Sequence, residues 1–317
     1  MINKKQIRDL VEKMHNIVIV EKNIPKLEKH KHLLNSHWLE DPLYNLNDLS
    51  EEERLLFLLI LDGTSFSYWS EPRWQISHNC KRLDGAKAMI FALKRAVDKG
   101  NLKLSVDNLS NLSREEYREI LKGTTEIPLF EERFQILKEI VNVLNEKFDG
   151  NIKNIIKFAK GDALKLLEIL VKSFKFFEDY ITYEDERIEL NKKAQLFILD
   201  VYRIFGGEGL GKLANIEELT ACADYKLPQV LRRMEIFEYS PELAERIDKN
   251  VPLPSGSLEE TEIRIKTIFA VERIKKYFNE TLKINTRSDQ VNELLWKLGQ
   301  IKHSKDKPYH KVRTTKY

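Results

Sequence analysis

The sequence predicts a mainly α-helical fold for this chain of 317 residues. Apolar residues recur at helical spacing along most of its length, several of these stretches are bounded by capping residues and glycines, and strand-like stretches are few and short. Hydrophobic residues make up 42% of the sequence and charged residues 32%, as is typical of a folded globular protein. We therefore expect a single compact helical domain over residues 1–317, with a small β element near the N-terminal third.

The N-terminal third contains the two stretches with strand character. Residues 16–20 (NIVIV) and 73–77 (RWQIS) are short and rich in β-branched or aromatic side chains. Between them, Ser50 and Glu53 have the spacing of a capping box, in which each side chain caps a backbone N–H group of the other residue. We expect a helix to begin there and to end at Gly63.

The middle of the chain predicts two further helices. Ser113 and Glu116 repeat the capping box, and the helix that follows is expected to close at Gly123. Apolar residues at helical spacing over 134–148 predict a longer helix that stops at Gly150.

The C-terminal half predicts three more helices. The strongly apolar stretch 189–205 ends on Gly206–Gly207, which is a helix C-cap signal. Ser240 followed by Pro241 is typical of an N-cap and a first helical position. Residues 259–282 form another long amphipathic pattern.

The glycine-rich stretch GGEGLG at 206–211 could also be interpreted as a phosphate-binding loop. A loop of that kind follows a strand and opens a helix, whereas a predicted helix precedes this one. The pattern therefore favours a helix C-cap and turn.

Charge and cysteine content limit the class of protein. The net charge of +3 is too small to indicate a nucleic-acid or membrane partner by itself. Cys80 and Cys222 are far apart, which excludes a disulfide scaffold and a cysteine-rich zinc site and suits a reducing compartment. The first fifteen residues lack the apolar segment of a signal peptide, and no apolar run approaches the roughly 18 residues of a membrane span. We expect a cytoplasmic protein without membrane association.

Aromatic residues are concentrated in the segment 66–74, which contains Phe66, Tyr68, Trp69 and Trp74. Such density directly after an apolar helix is explained by core packing, and core is the favoured interpretation from the pattern alone. Flat rings next to a polar turn also make a stacking site for a planar heterocycle. Both interpretations stay open at this point.

Two charged residues in the helix predicted at 189–205 raise a similar choice. Lys192 and Asp200 are eight residues apart and so fall near the same helix face, two turns from each other. A buried charge without a partner is unfavourable, so Asp200 between Leu199 and Val201 needs an explanation. The residues belong either to a solvent-facing stripe or structural ion pair, or to a polar floor beneath a ligand.

Asp224 follows three small residues, Ala221, Cys222 and Ala223, and is either a helix cap or a catalytic group. The sequence has no H-E-x-x-H, G-x-S-x-G or Walker motif, and its seven histidines show no metal-ligand spacing, so no metal is expected. A carboxylate is then the best catalytic candidate. Hydrolysis through an oxocarbenium-like transition state needs little more than a carboxylate and water.

The C-terminal stretch 303–317 is basic but also contains apolar residues, which indicates that it docks on the protein. A docked tail that presents His310 and Arg313 could bind a single phosphate group.

The string ADYKLPQVL at 223–231 resembles the A-D-Y-R-x-P-Q segment of the queuosine salvage family, the queuosine 5′-phosphate N-glycosylase/hydrolases. Five further strings resemble segments of that family in the same order, so the resemblance covers nearly the whole chain. They are LDGTSFSYWSE (61–71), IPLFEERFQILKE (127–139), KKAQLFILD (192–200), EIRIKTIFAVERI (262–274) and PYHKVRTTKY (308–317). Each string alone is weakly specific, and six in order are strongly specific.

This resemblance implies hydrolysis of the N-glycosidic bond of queuosine 5′-monophosphate to queuine, a 7-deazaguanine base, and ribose 5-phosphate. It also implies a fold similar to that of helix-hairpin-helix DNA glycosylases. The substrate would be a small-molecule nucleotide, with no cofactor and no stable nucleic-acid partner.

The resemblance also suggests roles for individual residues. Asp224 matches the family's catalytic aspartate and would stabilise the oxocarbenium-like transition state and orient or deprotonate water. Lys192 matches a family lysine and is the second catalytic candidate. It would help to hold the phosphate or the ribose, while a Schiff-base role is not expected because hydrolysis has no lyase step.

Further substrate-binding candidates follow from the same comparison. Phe66, Trp69 and Tyr225 are expected to stack on the deazaguanine. Asp200 could accept hydrogen bonds from the N–H groups of the base or pair with the aminomethyl cation of queuine. The two tail residues named above are the candidates for the phosphate.

The sequence departs from the family pattern at two places. The family's arginine after the key lysine is Lys193 here, which keeps the charge but loses the bidentate fork. The family's aromatic G-Y-W-S-L segment corresponds to residues 84–93, in which neither tyrosine nor tryptophan follows Gly85. These departures bear on which base is accepted and not on the type of reaction.

Two alternative functions remain open on the sequence alone. A DNA-repair glycosylase would need a basic groove and a glycine turn of the L-P-G-V-G kind, whereas this chain has KLPQVL with Gln229 at the glycine position. A non-catalytic protein that binds queuine or a related nucleotide would share most residues with the enzyme.

Overall fold

The computed structural model describes residues 4–184 and 186–317. Its helices are α1 (Lys4–Lys13), α2 (Glu51–Gly63), α3 (Gly85–Asp98), α4 (Val106–Asn111), α5 (Arg114–Ile120), α6 (Phe130–Phe148), α7 (Lys153–Ala159), α8 (Ala163–Ser173), α9 (Lys192–Ile204), α10 (Lys226–Arg233), α11 (Pro241–Asp248), α12 (Leu258–Glu280) and α13 (Ser288–Gln300). The expectation of a mainly helical protein is confirmed for this part of the chain.

The described strands pair into three antiparallel hairpins or ribbons of two strands each. They are β1 (Ile17–Ile19) with β6 (Phe237–Tyr239), β2 (Gln75–His78) with β3 (Lys81–Asp84), and β4 (Tyr180–Tyr183) with β5 (Glu186–Glu189). Both predicted strands exist, but the β structure is not confined to the N-terminal third. The partner of β1 comes from residue 237 onward, a pairing between distant segments that local pattern cannot reveal.

Most predicted helix ends are confirmed, and α5 is an informative exception. The Ser113 and Glu116 capping box forms, yet the helix ends at Ile120 and not at Gly123. Gly123 lies against β2, where an added Cβ would stand 2.6 Å from both the Gln75 carbonyl oxygen and Trp74 Nε1. The glycine is therefore required by close backbone approach and not by helix capping.

The start of α9 also differs from the prediction. Residues 189–191 are not helical, because Glu186–Glu189 pairs with the preceding strand as a hairpin, with Ile181 opposite Ile188. Asn191 then adopts a left-handed conformation with φ of 50°, which asparagine tolerates better than most residues. This turn fixes Lys192 as the first residue of α9.

The buried apolar side chains form two clusters. The first is built largely from α2, α3, α6, α8 and α9, and the second from α1, α10, α12 and α13. Trp296 of α13 packs against both clusters. The candidate active site described below lies where the two meet.

The C-terminal segment docks on the protein, as its composition indicated. Ser67 donates from its backbone N–H to the Tyr317 carbonyl oxygen at 2.9 Å and from its hydroxyl to the Thr314 carbonyl oxygen at 2.7 Å. Val312 and Tyr317 are buried. The tail thereby closes one side of the segment that follows α2.

Across residues 4–184 and 186–317, the helices are all too short or too polar to cross a membrane. The likeness to helix-hairpin-helix DNA glycosylases and the single-domain organisation over 1–317 stay predictions.

Candidate active site

A pocket lies between the two apolar clusters and encloses about 910 Å³ of space, including its open mouth. Its walls come from the C-terminal end of α2 and the segment after it, the first turn of α3, one face of α9, residues 222–226, α13 and the side chain of Tyr317. Phe66, Lys192, Asp200 and Asp224 all line it, so residues far apart in sequence converge there.

The segment that presents Asp224 is clamped by two amide side chains from other helices. Gln195 of α9 accepts a hydrogen bond from the Thr220 N–H at 2.7 Å and donates to the Thr220 hydroxyl at 3.2 Å. Asn292 of α13 accepts from the Cys222 N–H at 2.9 Å. Since the segment lacks regular structure, these side chains replace the backbone ladder that would otherwise fix it.

Asp224 caps α10 with only one of its two oxygens. Its Oδ1 accepts hydrogen bonds from the N–H groups of Lys226 at 2.7 Å and Leu227 at 3.1 Å. None of the hydrogen bonds among the described residues uses Oδ2, and the side chain lines the pocket. Burial raises the pKa of Asp224, although the charge of Lys192 and the two N–H donors oppose that shift. The geometry combines a helix cap with a carboxylate oxygen left available to a ligand.

Lys192 is held at the start of α9 by a buried aspartate. Asp179 accepts the Lys192 N–H on its Oδ2 at 3.1 Å, and its carbonyl oxygen accepts from the N–H groups of Leu190 and Asn191 at 2.8 and 2.9 Å. The ammonium of Lys192 is buried and donates to the Ser65 carbonyl oxygen at 3.4 Å.

The same aspartate forms a buried ion pair with α12. Arg264 donates to both oxygens of Asp179, at 2.7 and 2.6 Å, and its guanidinium lies 4.4 Å from the centre of the Tyr317 ring. The Tyr317 hydroxyl donates in turn to Glu260 at 2.8 Å. Arg264 therefore links the first turn of α9, which carries Lys192, to the docked tail.

Arg133 of α6 organises the aromatic segment. Its guanidinium donates to the carbonyl oxygens of Thr64 and of Phe66, the latter at 2.6 Å, and to that of Pro128 at 3.1 Å. It also lies 4.1 Å from the centre of the Phe66 ring and 4.9 Å from that of Tyr68. Phe66 and Tyr68 line the pocket from this support. Core packing and a position in the pocket wall thus coexist in the segment.

The lysine after Lys192 points away from the pocket. Lys193 donates to the Gly63 carbonyl oxygen at 2.9 Å, and its ammonium lies 4.9 Å from the centre of the Phe66 ring. Burial, with the nearby charge of Lys192, holds the pKa of Lys193 well below its usual range. The replacement of the family's arginine by Lys193 therefore changes the contacts that support residues 63–66 and does not change the lining of the pocket.

Asp200 is buried in the pocket wall with both oxygens engaged. Oδ1 accepts from His37 Nε2 at 3.1 Å and Oδ2 from Trp38 Nε1 at 3.0 Å. Arg203 lies 3.8 Å from Oδ1. The solvent-facing stripe is wrong, because Asp200 is 1% exposed, whereas a structural ion pair and a polar floor beneath a ligand both fit its contacts.

Tyr225 lines the pocket, whereas three other predicted residues do not. Trp69 donates from its indole N–H to the Val312 carbonyl oxygen at 3.2 Å, outside the pocket. His310 is buried beside Tyr317, where burial and the charge of Arg264 lower its pKa to about 3. Arg313 is exposed on the tail.

Sequence reasoning missed other pocket residues, among them Asp62, Lys226, Glu293 and Trp296. Asp62 had a signal of its own, since a carboxylate near the end of an apolar helix is the same anomaly that singled out Asp200. The others lie on amphipathic helices, where sequence cannot tell a pocket face from a solvent face.

Gly85 and Ala86 line the pocket at the first turn of α3, where the sequence departs from the family's aromatic segment. Gly85 has a φ of 58°, and a Cβ added there would meet nothing within 4 Å. Neither residue therefore contributes an aromatic ring to this part of the pocket wall.

Within the described ranges, no group of three or more His, Cys, Asp or Glu side chains is arranged to hold a metal ion. The cations that line the pocket are Lys192 and Lys226.

Comparison with known proteins gives a consistent result. The model of the family described as queuosine salvage protein matches residues 45–317. A protein of Sphaerobacter thermophilus named queuosine 5′-phosphate N-glycosylase/hydrolase is 38% identical over 261 residues, 82% of this chain and 80% of that protein. Proteins of the same name from Dictyostelium discoideum and Mus musculus are 30% and 31% identical, covering 93% and 87% of this chain and 89% and 86% of their own lengths.

Proposed function

The chain belongs to the queuosine salvage protein family, and on that premise we propose that it is an N-glycosyl hydrolase that cleaves queuosine 5′-monophosphate to queuine and ribose 5-phosphate. The observation that carries this proposal is the convergence of Asp224, Lys192 and the rings of Phe66 and Tyr225 in one pocket. A carboxylate, cations and aromatic rings in one pocket suit a phosphorylated nucleoside, because they complement its ribose, its phosphate and its base respectively.

In the proposed reaction, the bond between the base nitrogen and C1′ of the ribose breaks while water adds to C1′. Positive charge develops on the ribose, and the Oδ2 oxygen of Asp224 stabilises it and accepts a proton from the attacking water. The base leaves with its bonding electron pair and takes up a proton. The pocket gives the carboxylate a low-dielectric setting in which its interaction with the developing cation is strong.

The fixed orientation of Asp224 supports this role. Because Oδ1 is held by two backbone N–H groups, the carboxylate needs no reorganisation when charge develops. Lys192 adds a positive charge that favours the ionised form of Asp224, which is the form the mechanism requires.

The first test is a product assay by mass spectrometry in the presence of EDTA. The purified protein would receive queuosine 5′-monophosphate, queuosine and guanosine 5′-monophosphate in parallel. We expect release of queuine from the first substrate, at a rate far above that of base release from the other two. Binding of queuosine 5′-monophosphate without release from any substrate would instead support the non-catalytic binder.

The phosphate of the substrate is proposed to bind near Lys226. The side chain of Lys226 lines the pocket and is half-buried, and its ammonium lies 5.1 Å from the centre of the Tyr309 ring. His310 and Arg313 were the tail candidates for the phosphate, but neither lines the pocket, and a buried histidine with a pKa near 3 carries no positive charge at neutral pH.

Replacing Lys226 and Arg313 separately with alanine tests this assignment. Lys226→Ala is expected to raise KM for queuosine 5′-monophosphate by about 10- to 100-fold, because a charge-assisted contact to the phosphate is lost. The KM for unphosphorylated queuosine should change much less. Arg313→Ala serves as the matched control and should alter both values by less than about twofold. A higher KM for queuosine 5′-monophosphate alone in the Arg313 variant would instead assign the phosphate site to the C-terminal tail.

A further inference from the structure

The pocket has an acidic wall that the mechanism above does not use. We define it as Asp62 of α2, Asp200 of α9 and Glu293 of α13, which line the pocket and are 1%, 1% and 5% exposed. Burial raises the pKa of both Asp62 and Glu293, and the charge of Asp200 adds to each shift. Lys192 opposes the shift of Asp62, and His37 and Arg203 oppose that of Glu293. Three buried carboxylates on three helices need compensation from somewhere.

Asp200 has its compensation within the protein. The Leu39 N–H donates to His37 Nδ1 at 3.2 Å, so that nitrogen is unprotonated and the ring proton lies on Nε2. His37 Nε2 and Trp38 Nε1 then donate one hydrogen bond to each oxygen of Asp200. Each oxygen of Asp200 therefore already accepts a hydrogen bond from the protein.

Asp62 and Glu293 lack such partners. Asp62 Oδ2 and Glu293 Oε1 are buried without a hydrogen-bond partner, and no described residue donates a hydrogen bond to either carboxylate. A buried acceptor left unsatisfied destabilises a protein by roughly 1–3 kcal/mol, more when it is charged. Two such oxygens in one pocket are expected where a ligand completes the site.

The nearby cations are already engaged. Arg203 lies 3.8 Å from Glu293 Oε2 but 3.0 Å from Asp289, with which it forms a hydrogen bond. Lys192 lowers the pKa of Asp62, but this effect is smaller than the opposing effects of burial and of Asp200. Lys192 also lowers the pKa of Asp224. The surrounding side chains therefore leave the ionised forms of Asp62 and Glu293 incompletely compensated, and burial favours their protonated forms until a cation binds.

We propose that Asp62 and Glu293 bind a protonated secondary amine carried by the base of the substrate, and that they select a cationic base over a neutral guanine-type base. This inference rests on the proposed function, since queuine carries such an amine on its 7-substituent. A secondary ammonium has two N–H donors and one positive charge. The donors match the two unpartnered oxygens, and the charge favours the ionised forms of the two carboxyl groups. The neutral N–H groups of a guanine edge would satisfy acceptors but leave the charge uncompensated.

This proposal moves a role that the sequence suggested for Asp200. The sequence-based expectation was that Asp200 could pair with the aminomethyl cation of queuine. Both oxygens of Asp200 already accept hydrogen bonds, so we assign the contact with the aminomethyl cation to Asp62 and Glu293. Asp200 then contributes through its charge, which makes the electrostatic potential of the acidic wall more negative.

The test compares Asp62→Asn and Glu293→Gln with the unsubstituted protein on three nucleotides. Queuosine 5′-monophosphate and 7-aminomethyl-7-deazaguanosine 5′-monophosphate carry the cation, whereas 7-deazaguanosine 5′-monophosphate has the same guanine edge without it. We expect each variant to lose about 10- to 100-fold in kcat/KM on the two cationic substrates and less than about threefold on the neutral one. Asp248→Asn, which removes a carboxylate paired with Arg232 at 2.9 Å outside the pocket, should change none of these values.

Thermal unfolding of the same variants separates this role from a structural one. Removing a buried carboxyl group without a hydrogen-bond partner should leave the melting temperature unchanged or raise it, whereas removing a structural carboxylate would lower it. Since the two residues lie on different helices, misfolding of one variant leaves the other as a test.

Two results would overturn the inference. Equal losses on all three nucleotides would assign the acidic wall to the guanine edge, and unchanged discrimination would remove it from the site. Both results presuppose that the unsubstituted protein releases the base. If it releases none, the proposed function fails, and titration calorimetry with queuine and with 7-deazaguanine still tests the acidic wall, because Asp62→Asn must weaken the first selectively.

Discussion

Replacing Asp224 with asparagine is expected to lower kcat for queuosine 5′-monophosphate by several orders of magnitude while leaving substrate affinity within about tenfold. Asparagine has nearly the same shape, and its side-chain oxygen can still accept the N–H groups of Lys226 and Leu227, so the cap of α10 is retained. Only the negative charge that is proposed to act on the ribose is lost. Single-turnover kinetics and equilibrium titration on the same preparation measure the two quantities separately.

A second aspartate provides the matched control. Asp162 caps α8 by accepting hydrogen bonds from the N–H groups of Leu164 and Lys165, both at 2.9 Å, away from the pocket. Asp162→Asn repeats the chemical change at a helix cap and should leave turnover unaltered. Unchanged turnover in Asp224→Asn would end the assignment of Asp224 as the catalytic residue.

The pH dependence of the unsubstituted enzyme is a further consequence of the same geometry. The proposed mechanism needs ionised Asp224, and burial raises the pKa of that carboxyl. Activity is therefore lost as the pH falls through this raised pKa, so the acid limb of kcat/KM should lie at higher pH than for an ordinary aspartate. Substituting Lys192 with methionine removes a charge that favours ionisation, and the limb should move to still higher pH.

Local features of the fold could be predicted where the signal is contained in a few neighbouring residues. The capping boxes at Ser50 and Ser113 and the Pro241 helix start all form as expected, because each depends on contacts within one turn. The hairpin before α9 was missed because each of its strands depends on pairing with the other. In addition, the apolar spacing of its second strand continues without a break into that of α9. Gly123 was misinterpreted because the backbone it approaches lies 48 residues earlier in the chain, at Gln75.

The candidate site was predictable in part for a similar reason. Asp224, Lys192 and Asp200 attract attention as charges among small or apolar neighbours, which is a local anomaly. Whether such a charge is satisfied depends on distant partners, such as His37 and Trp38 for Asp200. Sequence therefore located the unusual residues but could not distinguish a carboxylate with two donors from one with none.

The largest effect on stability is expected from Arg264, through the ion pair that supports Lys192. Arg264→Met should lower the free energy of unfolding by about 3–5 kcal/mol, because Asp179 would remain charged and buried without its partner. Both side chains of this pair are almost fully buried, at 1% and 0% exposure, so solvent cannot take the place of the guanidinium. Urea unfolding monitored by circular dichroism measures the change.

The same helix offers the control that decides the interpretation. Arg273 of α12 also binds a carboxylate, Glu21, through two contacts of 2.6 Å, but its side chain is 35% exposed and that of Glu21 is 45% exposed. Arg273→Met should therefore change stability by no more than about 1 kcal/mol. Adding Asp179→Asn to Arg264→Met should recover part of the loss, because the asparagine oxygen can still accept the Lys192 N–H without an uncompensated charge. Similar losses for the two arginine variants, or no recovery in the double variant, would mean that the Arg264 side chain acts by packing and not by neutralising Asp179.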